Sequence, residues 1–287
     1  MTELQTIQTN DLTFAYHEAG SGDQLVLCLH GFPDTADTWR DLLPRLADAG
    51  FRAVAPYMRG YPPTQIPADA QYTAKHMAED VLGLIDAFGA EQAIVIGHDW
   101  GAFATYAAAA LAPERIVKLV TLAIPHPRAI SFTPRTLWTA RHFVTFQMRG
   151  RSVRWLRANN FAALRRLYQR WSPKWSFSDS ELTAVKASLS QPGGVEGALG
   201  YYWSFIEGRS NSDVQRLLRK KTGTPTLSLL GDADGALPLG AIKDVESAYT
   251  GSYQQIVLPD VGHFLHREAP ELVAKHILAF LAAESEG

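Results

Sequence analysis

The sequence predicts an α/β protein whose mostly parallel central sheet is interrupted by an all-helical insertion, a cap over the sheet's carboxyl edge. Three observations predict it. Short apolar runs alternate with helical patterns from the N-terminus to Ile124. After Pro125-His126-Pro127 the alternation gives way to a helical, aromatic and basic stretch, from about Thr136 to Gly208, with no convincing strand. Alternation then resumes at Pro225 and runs to the last helix. The domain plan that follows is a core of residues 1–127 and 215–287 with a cap of residues 128–214.

Gln5 to His17 is expected to form an antiparallel edge hairpin. Gln24 to His30 is an apolar run ended by Gly31, the pattern of a strand buried on both faces. Thr35 to Ala49 is expected as a helix ended by Gly50, Arg52 to Pro56 as a short strand, and Thr73 to Phe88 as a helix with apolar residues at helical spacing. Gln92 to Gly97 gives another buried strand, Trp100 to Leu111 an Ala-rich helix stopped before Pro113, and Ile116 to Ile124 a further strand. Beyond the cap come a strand (Pro225 to Leu230), a helix (Leu239 to Tyr249), a strand (Tyr253 to Leu258) and a helix (Ala269 to Ala283).

Composition restricts the function classes. The chain has 287 residues, 46% apolar and 20% charged, with a formal net charge of -2, which gives no global signal for nucleic acid. Cys28 is the one cysteine, so no intrachain disulfide can form, in keeping with a reducing compartment. Met1 to Asn10 is polar and lacks the apolar stretch of a secretory signal, and no run approaches a membrane span. A cytoplasmic address is expected, and a homodimer is left open. Between Arg115 and Ser178 there are 13 Lys and Arg and no acidic residue. Because Arg alternates there with Trp, Phe and Leu at helical spacing, solvated helix faces and contacts with the acidic remainder are expected before an anionic partner or a membrane surface.

The chemistry starts at Gly97-His98-Asp99-Trp100-Gly101, between a strand and a helix. Small residues two before and two after a central side chain let the backbone close tightly and lift that side chain above the sheet, as in the serine version of this turn. A plain helix N-cap is the alternative for Asp99. Two later loops favour catalysis: Gly231-Asp232-Ala233-Asp234-Gly235 and Gly262-His263-Phe264, each after a strand. Nucleophile, acid and histidine then follow in order, with His263 as general base and a carboxylate fixing its tautomer. Asp234 is taken as that acid and Asp232 as a turn residue. His30-Gly31-Phe32-Pro33 follows the first buried strand and can aim the Phe32 N–H, with the Trp100 N–H, into an oxyanion hole. His30 and His98 are read as structural.

A carboxylate nucleophile narrows the substrate. Attack on an acyl carbon would give an anhydride, whereas attack on a saturated carbon gives an alkyl ester that water can hydrolyse. The target is therefore an sp3 carbon with a leaving group, such as an epoxide or a carbon–halogen bond. His-Gly-Phe-Pro at 30–33, Arg59-Gly60-Tyr61, Gly-His-Asp-Trp-Gly-Ala at 97–102, Pro125-His126-Pro127 and Gly262-His263 make the chain resemble the epoxide hydrolases of the α/β-hydrolase superfamily over nearly its whole length. The resemblance implies the α/β-hydrolase fold, no cofactor, and an epoxide and water as partners. Haloalkane dehalogenases are similar but usually carry Asn where this chain has Phe32.

Epoxide hydrolases usually place two cap tyrosines against the epoxide oxygen. The resemblance puts Tyr202, in Gly197 to Trp203, at the second position and His142, in Arg141 to Gln147, at the first. His in place of Tyr is a departure, and it implies ring opening that is more sensitive to pH near neutrality. A further departure is Tyr57, where the family usually has Asp. Among the cap aromatics Trp138, Phe143, Phe146, Trp171, Trp175 and Trp203, each is expected in core before pocket. Trp138, Phe143 and Trp203 are the candidates for a pocket wall. No metal is expected, since His263 and His266 stand without a ligand cluster, and no Gly-rich phosphate loop is present. The competing readings are a haloalkane or haloacid dehalogenase and a ligand-binding member of the fold without turnover.

Overall fold

The computed structural model describes residues 4–131 and 133–283, apart from the side chains of Arg135 and Arg209. The first three residues of the polar N-terminal segment, the Arg135 side chain of the basic stretch and the last four residues of the expected core lie outside that description.

The strands are β1 (Gln5–Thr9), β2 (Leu12–Ala19), β3 (Leu25–Leu29), β4 (Arg52–Pro56), β5 (Ala93–His98), β6 (Ile116–Leu122), β7 (Thr226–Gly231) and β8 (Tyr253–Leu258). They form one sheet in the order β1-β2-β4-β3-β5-β6-β7-β8. β2 pairs antiparallel with both β1 and β4, and the remaining pairs are parallel. Every residue of β3, β5 and β7 is buried. A parallel strand covered on both faces needs this continuous apolar character.

The helices are α1 (Leu43–Asp48), α2 (Ala74–Ala87), α3 (Trp100–Leu111), α4 (Pro134–Thr139), α5 (Arg141–Phe146), α6 (Arg149–Trp171), α7 (Thr183–Ser190), α8 (Gly194–Glu207), α9 (Ser212–Arg219), α10 (Leu265–Glu268) and α11 (Pro270–Ala282). α3 is buried from Trp100 to Ala110, and its alanines let it lie close against the sheet. α6 is kinked where Asn159, Asn160 and Phe161 take positive φ of 51°, 53° and 59°. Asn tolerates that region better than most side chains, which suits the Asn pair to the kink.

Two expected helices differ. Thr35 to Ala49 is a 3₁₀ turn (Ala36–Trp39) followed by the short α1. Pro44 has no N–H and its ring obstructs a preceding helical turn, so one continuous helix cannot run through it. Leu239 to Tyr249 is two 3₁₀ turns, Leu239–Ala241 and Val245–Ala248. Between them Ile242 bridges to Ile130, and Asp244 takes a φ of 47°, which breaks the helical run. The expected domain division at 214/215 falls inside α9, which packs on α2 and α3 of the core.

The basic stretch finds partners on both sides. Arg115 pairs with Asp86 and Lys174 with Asp260, both acids of the core segments. Arg149, Arg157 and Arg165 pair instead with Glu207, Glu196 and Asp179, which follow them in the chain. Exposed pairs of this kind each contribute at most about 1 kcal/mol. No helix among the described residues is long and apolar enough to cross a membrane.

Candidate active site

β3 has β4 on one side and β5 on the other, so a topological switch point lies between the carboxyl ends of β3 and β5. Open α/β sheets bind ligands at such a point. Leu29 pairs with Gly97 there, which brings the loop after β3 alongside the turn after β5. Asp99 sits at that turn with φ 52° and ψ -115°. Such a conformation costs about 1–3 kcal/mol and persists only where the surroundings enforce it. Here a Cβ on Gly101 would lie 2.2 Å from the Leu29 carbonyl oxygen, and one on Gly97 2.4 Å from the Gly101 oxygen. The tight turn therefore requires glycine at both positions, as the pentapeptide pattern implies.

The Asp99 carboxylate meets two different environments. Oδ1 accepts a hydrogen bond from the Phe32 N–H at 2.8 Å. Oδ2 faces His263 Nε2 at 3.6 Å. Trp100 is the first residue of α3, so its N–H has no intrahelical acceptor. Burial alone would raise the Asp99 carboxyl, but His263, His98 and the Phe32 N–H outweigh it and hold the group below the ordinary Asp value.

Asp234 and His263 come together from the loops after β7 and β8. His263 Nδ1 lies 2.8 Å from Asp234 Oδ2. Asp234 Oδ1 accepts from the N–H groups of Ala236 and Leu237, at 2.6 and 3.0 Å, which fixes the carboxylate. Burial would lower the His263 value, but Asp234 and then Asp99 prevail and raise it to about 10. Asp232 is exposed and accepts from the Asp260 N–H.

His30 Nε2 accepts from the Met58 N–H at 2.9 Å, so its ring ties two loops together. His98 Nε2 donates to the His263 carbonyl oxygen at 2.9 Å. Burial lowers both rings to about 4 and keeps them neutral at ordinary pH. His266 is buried, stacked on Trp39 with centroids 4.5 Å apart. Tyr57, the second departure, donates to Asp37.

From the expected cap, α8 delivers Tyr202, almost fully buried. Its ring meets Trp100 at 5.0 Å, Phe32 at 5.2 Å, Phe146 at 4.8 Å and Phe143 at 4.9 Å. Burial, and then the Asp99 charge, push its phenol well above the ordinary Tyr value. His142 lies 5.7 Å from Tyr202 and 4.9 Å from Trp171, ring to ring. Burial first, then the Arg170 charge, lower His142 to about 3. This corrects the expected pH sensitivity: the ring is already neutral well below pH 7, so its own titration falls outside the neutral range.

The pocket candidates divide. Phe143 packs against both Tyr202, at 4.9 Å, and Trp100, at 6.0 Å. Trp138 is 68% exposed with Arg141 over its ring, so it lines no site wall; α4 turns it to the surface. Trp203 donates to the Phe146 carbonyl at 2.7 Å under Arg149, because its neighbour Tyr202 occupies the inward side of α8. Trp171, expected in core, also abuts His263 at 5.2 Å and Phe32 at 6.1 Å. Ser172 and Glu268 hold the His263 loop, and no local motif in the sequence marks either of them. A surface cleft of about 590 Å³ opens elsewhere, lined by Asp37, Tyr57 and Pro192 among others. The groups suited to chemistry converge instead on Asp99, beneath the aromatic side chains of α5 and α8.

The α/β-hydrolase fold profile matches residues 24–270. The chain is 30% identical to Epoxide hydrolase 4 of Mus musculus, over 97% of its own length and 79% of that protein. It is 28% identical to Epoxide hydrolase A of Mycobacterium tuberculosis, over 96% of each. The crystal structure of Epoxide Hydrolase A from Mycobacterium thermoresistibile aligns with a TM-score of 0.85 and 28% identity, over 99% of both chains.

Proposed function

Since the chain belongs to the α/β-hydrolase family, and within it to the epoxide hydrolases, we propose that it opens an epoxide to a vicinal diol through an alkyl ester on Asp99. The observation that carries this reading is the unequal engagement of the two Asp99 oxygens. Oδ1 rests on the Phe32 N–H, while Oδ2 stands toward His263.

In the first step Asp99 attacks an epoxide carbon, the ring C–O bond breaks, and its electron pair stays on the leaving oxygen. Tyr202 supplies a proton or hydrogen bond to that alkoxide, with neutral His142 as a second donor. The buried phenol is suited to this because it stays protonated until a strongly basic oxygen forms beside it. In the second step His263 takes a proton from water, which attacks the ester carbonyl carbon. The oxyanion on the Asp99 carbonyl is stabilised by the Phe32 and Trp100 N–H groups. Asp234 holds the imidazole tautomer and stabilises the imidazolium. On collapse the departing alkoxide takes the proton held by His263, which frees the diol; the second water proton returns to Tyr202 and leaves Asp99 as the carboxylate, with residues 128–214 acting as the cap that excludes bulk water.

The test is a panel of epoxides and 1-haloalkanes assayed for diol and for halide. Diol from at least one epoxide is expected, and halide without any diol would favour the dehalogenase reading. A Tyr202→Phe variant is expected to slow ester formation by ~100-fold while leaving ester hydrolysis within about a factor of three, as read in single-turnover traces.

A further inference from the structure

The C-terminal end of α6, a cap helix, is bonded directly to both loops that carry the proposed acid and base. The Trp171 carbonyl accepts from the Gly235 N–H at 2.9 Å and from the His263 N–H at 3.1 Å. The Ser172 hydroxyl accepts from the His263 N–H at 2.9 Å and donates to Glu268 Oε1 at 2.5 Å. Glu268 in turn accepts from the N–H groups on either side of His263: Gly262 at 2.8 Å and Phe264 at 3.0 Å. The approach is closer than a side chain permits. A Cβ on Gly235 would lie 2.0 Å from the Arg170 oxygen, and one on Gly262 would lie 2.5 Å from the Ser172 Cα.

We propose that Ser172 and Glu268 are positioning residues that make the seating of the cap a condition for His263 to act as a base, and not for Asp99 to act as a nucleophile. The asymmetry follows from the bonding. Asp99 is held by its own turn and by Phe32, all in the core segments. The backbone of His263 is held through Trp171 and Ser172 of the cap, with Glu268 closing the ring of bonds. A displacement of α6 therefore loosens the imidazole before it disturbs the carboxylate. Misplacement of a reacting group by about 1 Å costs on the order of 100-fold in rate.

This inference rests on the ester mechanism above. Ser172→Ala removes the bridging hydroxyl. Glu268→Gln keeps the side-chain shape but sets an amide N–H2 against a backbone donor. Both are compared with the unaltered chain and with His263→Gln in single turnovers of an epoxide that the enzyme converts. The expected result for each is ester hydrolysis slowed ~10-fold or more, ester formation within about a factor of two, and an unchanged burst amplitude. Equal slowing of both steps, no change in either, or a loss of burst amplitude alone would overturn the inference; the last is the signature of fewer folded molecules. If His263→Gln itself forms no ester, the mechanism fails and this inference falls with it, an outcome distinguishable from the others.

Discussion

Asp99→Asn is expected to lower epoxide turnover by at least ~10,000-fold, with the fold retained. The amide is nearly the same size and tolerates positive φ about as well as the acid. Its nitrogen is not a nucleophile toward an sp3 carbon, and its oxygen carries no charge with which to attack. Asp234 cannot take over, since its Oδ1 and Oδ2 are engaged by the Ala236 N–H and by His263. The substitution also removes a charge that helps raise His263 to about 10, so the imidazole should titrate at lower pH in the variant. Thermal melting and the imidazole NMR titration check the two structural points; a diol assay checks the loss.

His263→Gln is expected to stop the reaction halfway. In the proposed mechanism ester formation uses Asp99, Tyr202 and His142, none of which this change removes, whereas hydrolysis loses its proposed base. One equivalent of epoxide per chain should be consumed in a burst, followed by a steady state ~1,000-fold below that of the unaltered chain. The pH dependence separates the steps as well. Asp99 must be ionised to attack, and its value is already held low, so ester formation should be flat from about pH 5 to 9. Hydrolysis needs neutral His263, so its rate rises as pH increases through the His263 value. In the ester the Asp99 charge is gone, and that value falls below the value of about 10 in the free enzyme.

Much of this is legible in the sequence, for physical reasons that differ by element. β3 and β5 are buried on both faces, so their apolar runs stand out without any alternation. The Asp99 turn is legible because close packing demands glycine at 97 and 101. Asp234 and His263 follow from chain order and loop position. Other features depend on tertiary contacts that no local pattern carries. Pro44 and the left-handed Asp244 break two segments whose apolar spacing suggests helices. Trp138 and Trp203 share the composition of pocket residues, but only the packing of α4 and α8 decides which way they point. The neutrality of His142 follows from its burial and from Arg170, 28 positions away in the chain. The bonds of Ser172 and Glu268 to the His263 loop join segments far apart in the chain, and become visible only when those segments are brought together.

The central claim is that Asp99 is the nucleophile, and a single turnover in heavy-oxygen water tests it most directly. Enzyme in excess is mixed with an epoxide, and both the diol and the peptide containing Asp99 are analysed by mass spectrometry. If Asp99 attacks and water then attacks the ester carbonyl, the oxygen added to the diol comes from the carboxylate. The first diol is then unlabelled and the heavy oxygen is found in Asp99. A labelled diol from the first turnover, with Asp99 unlabelled, would show that water attacks the epoxide directly and would contradict the account.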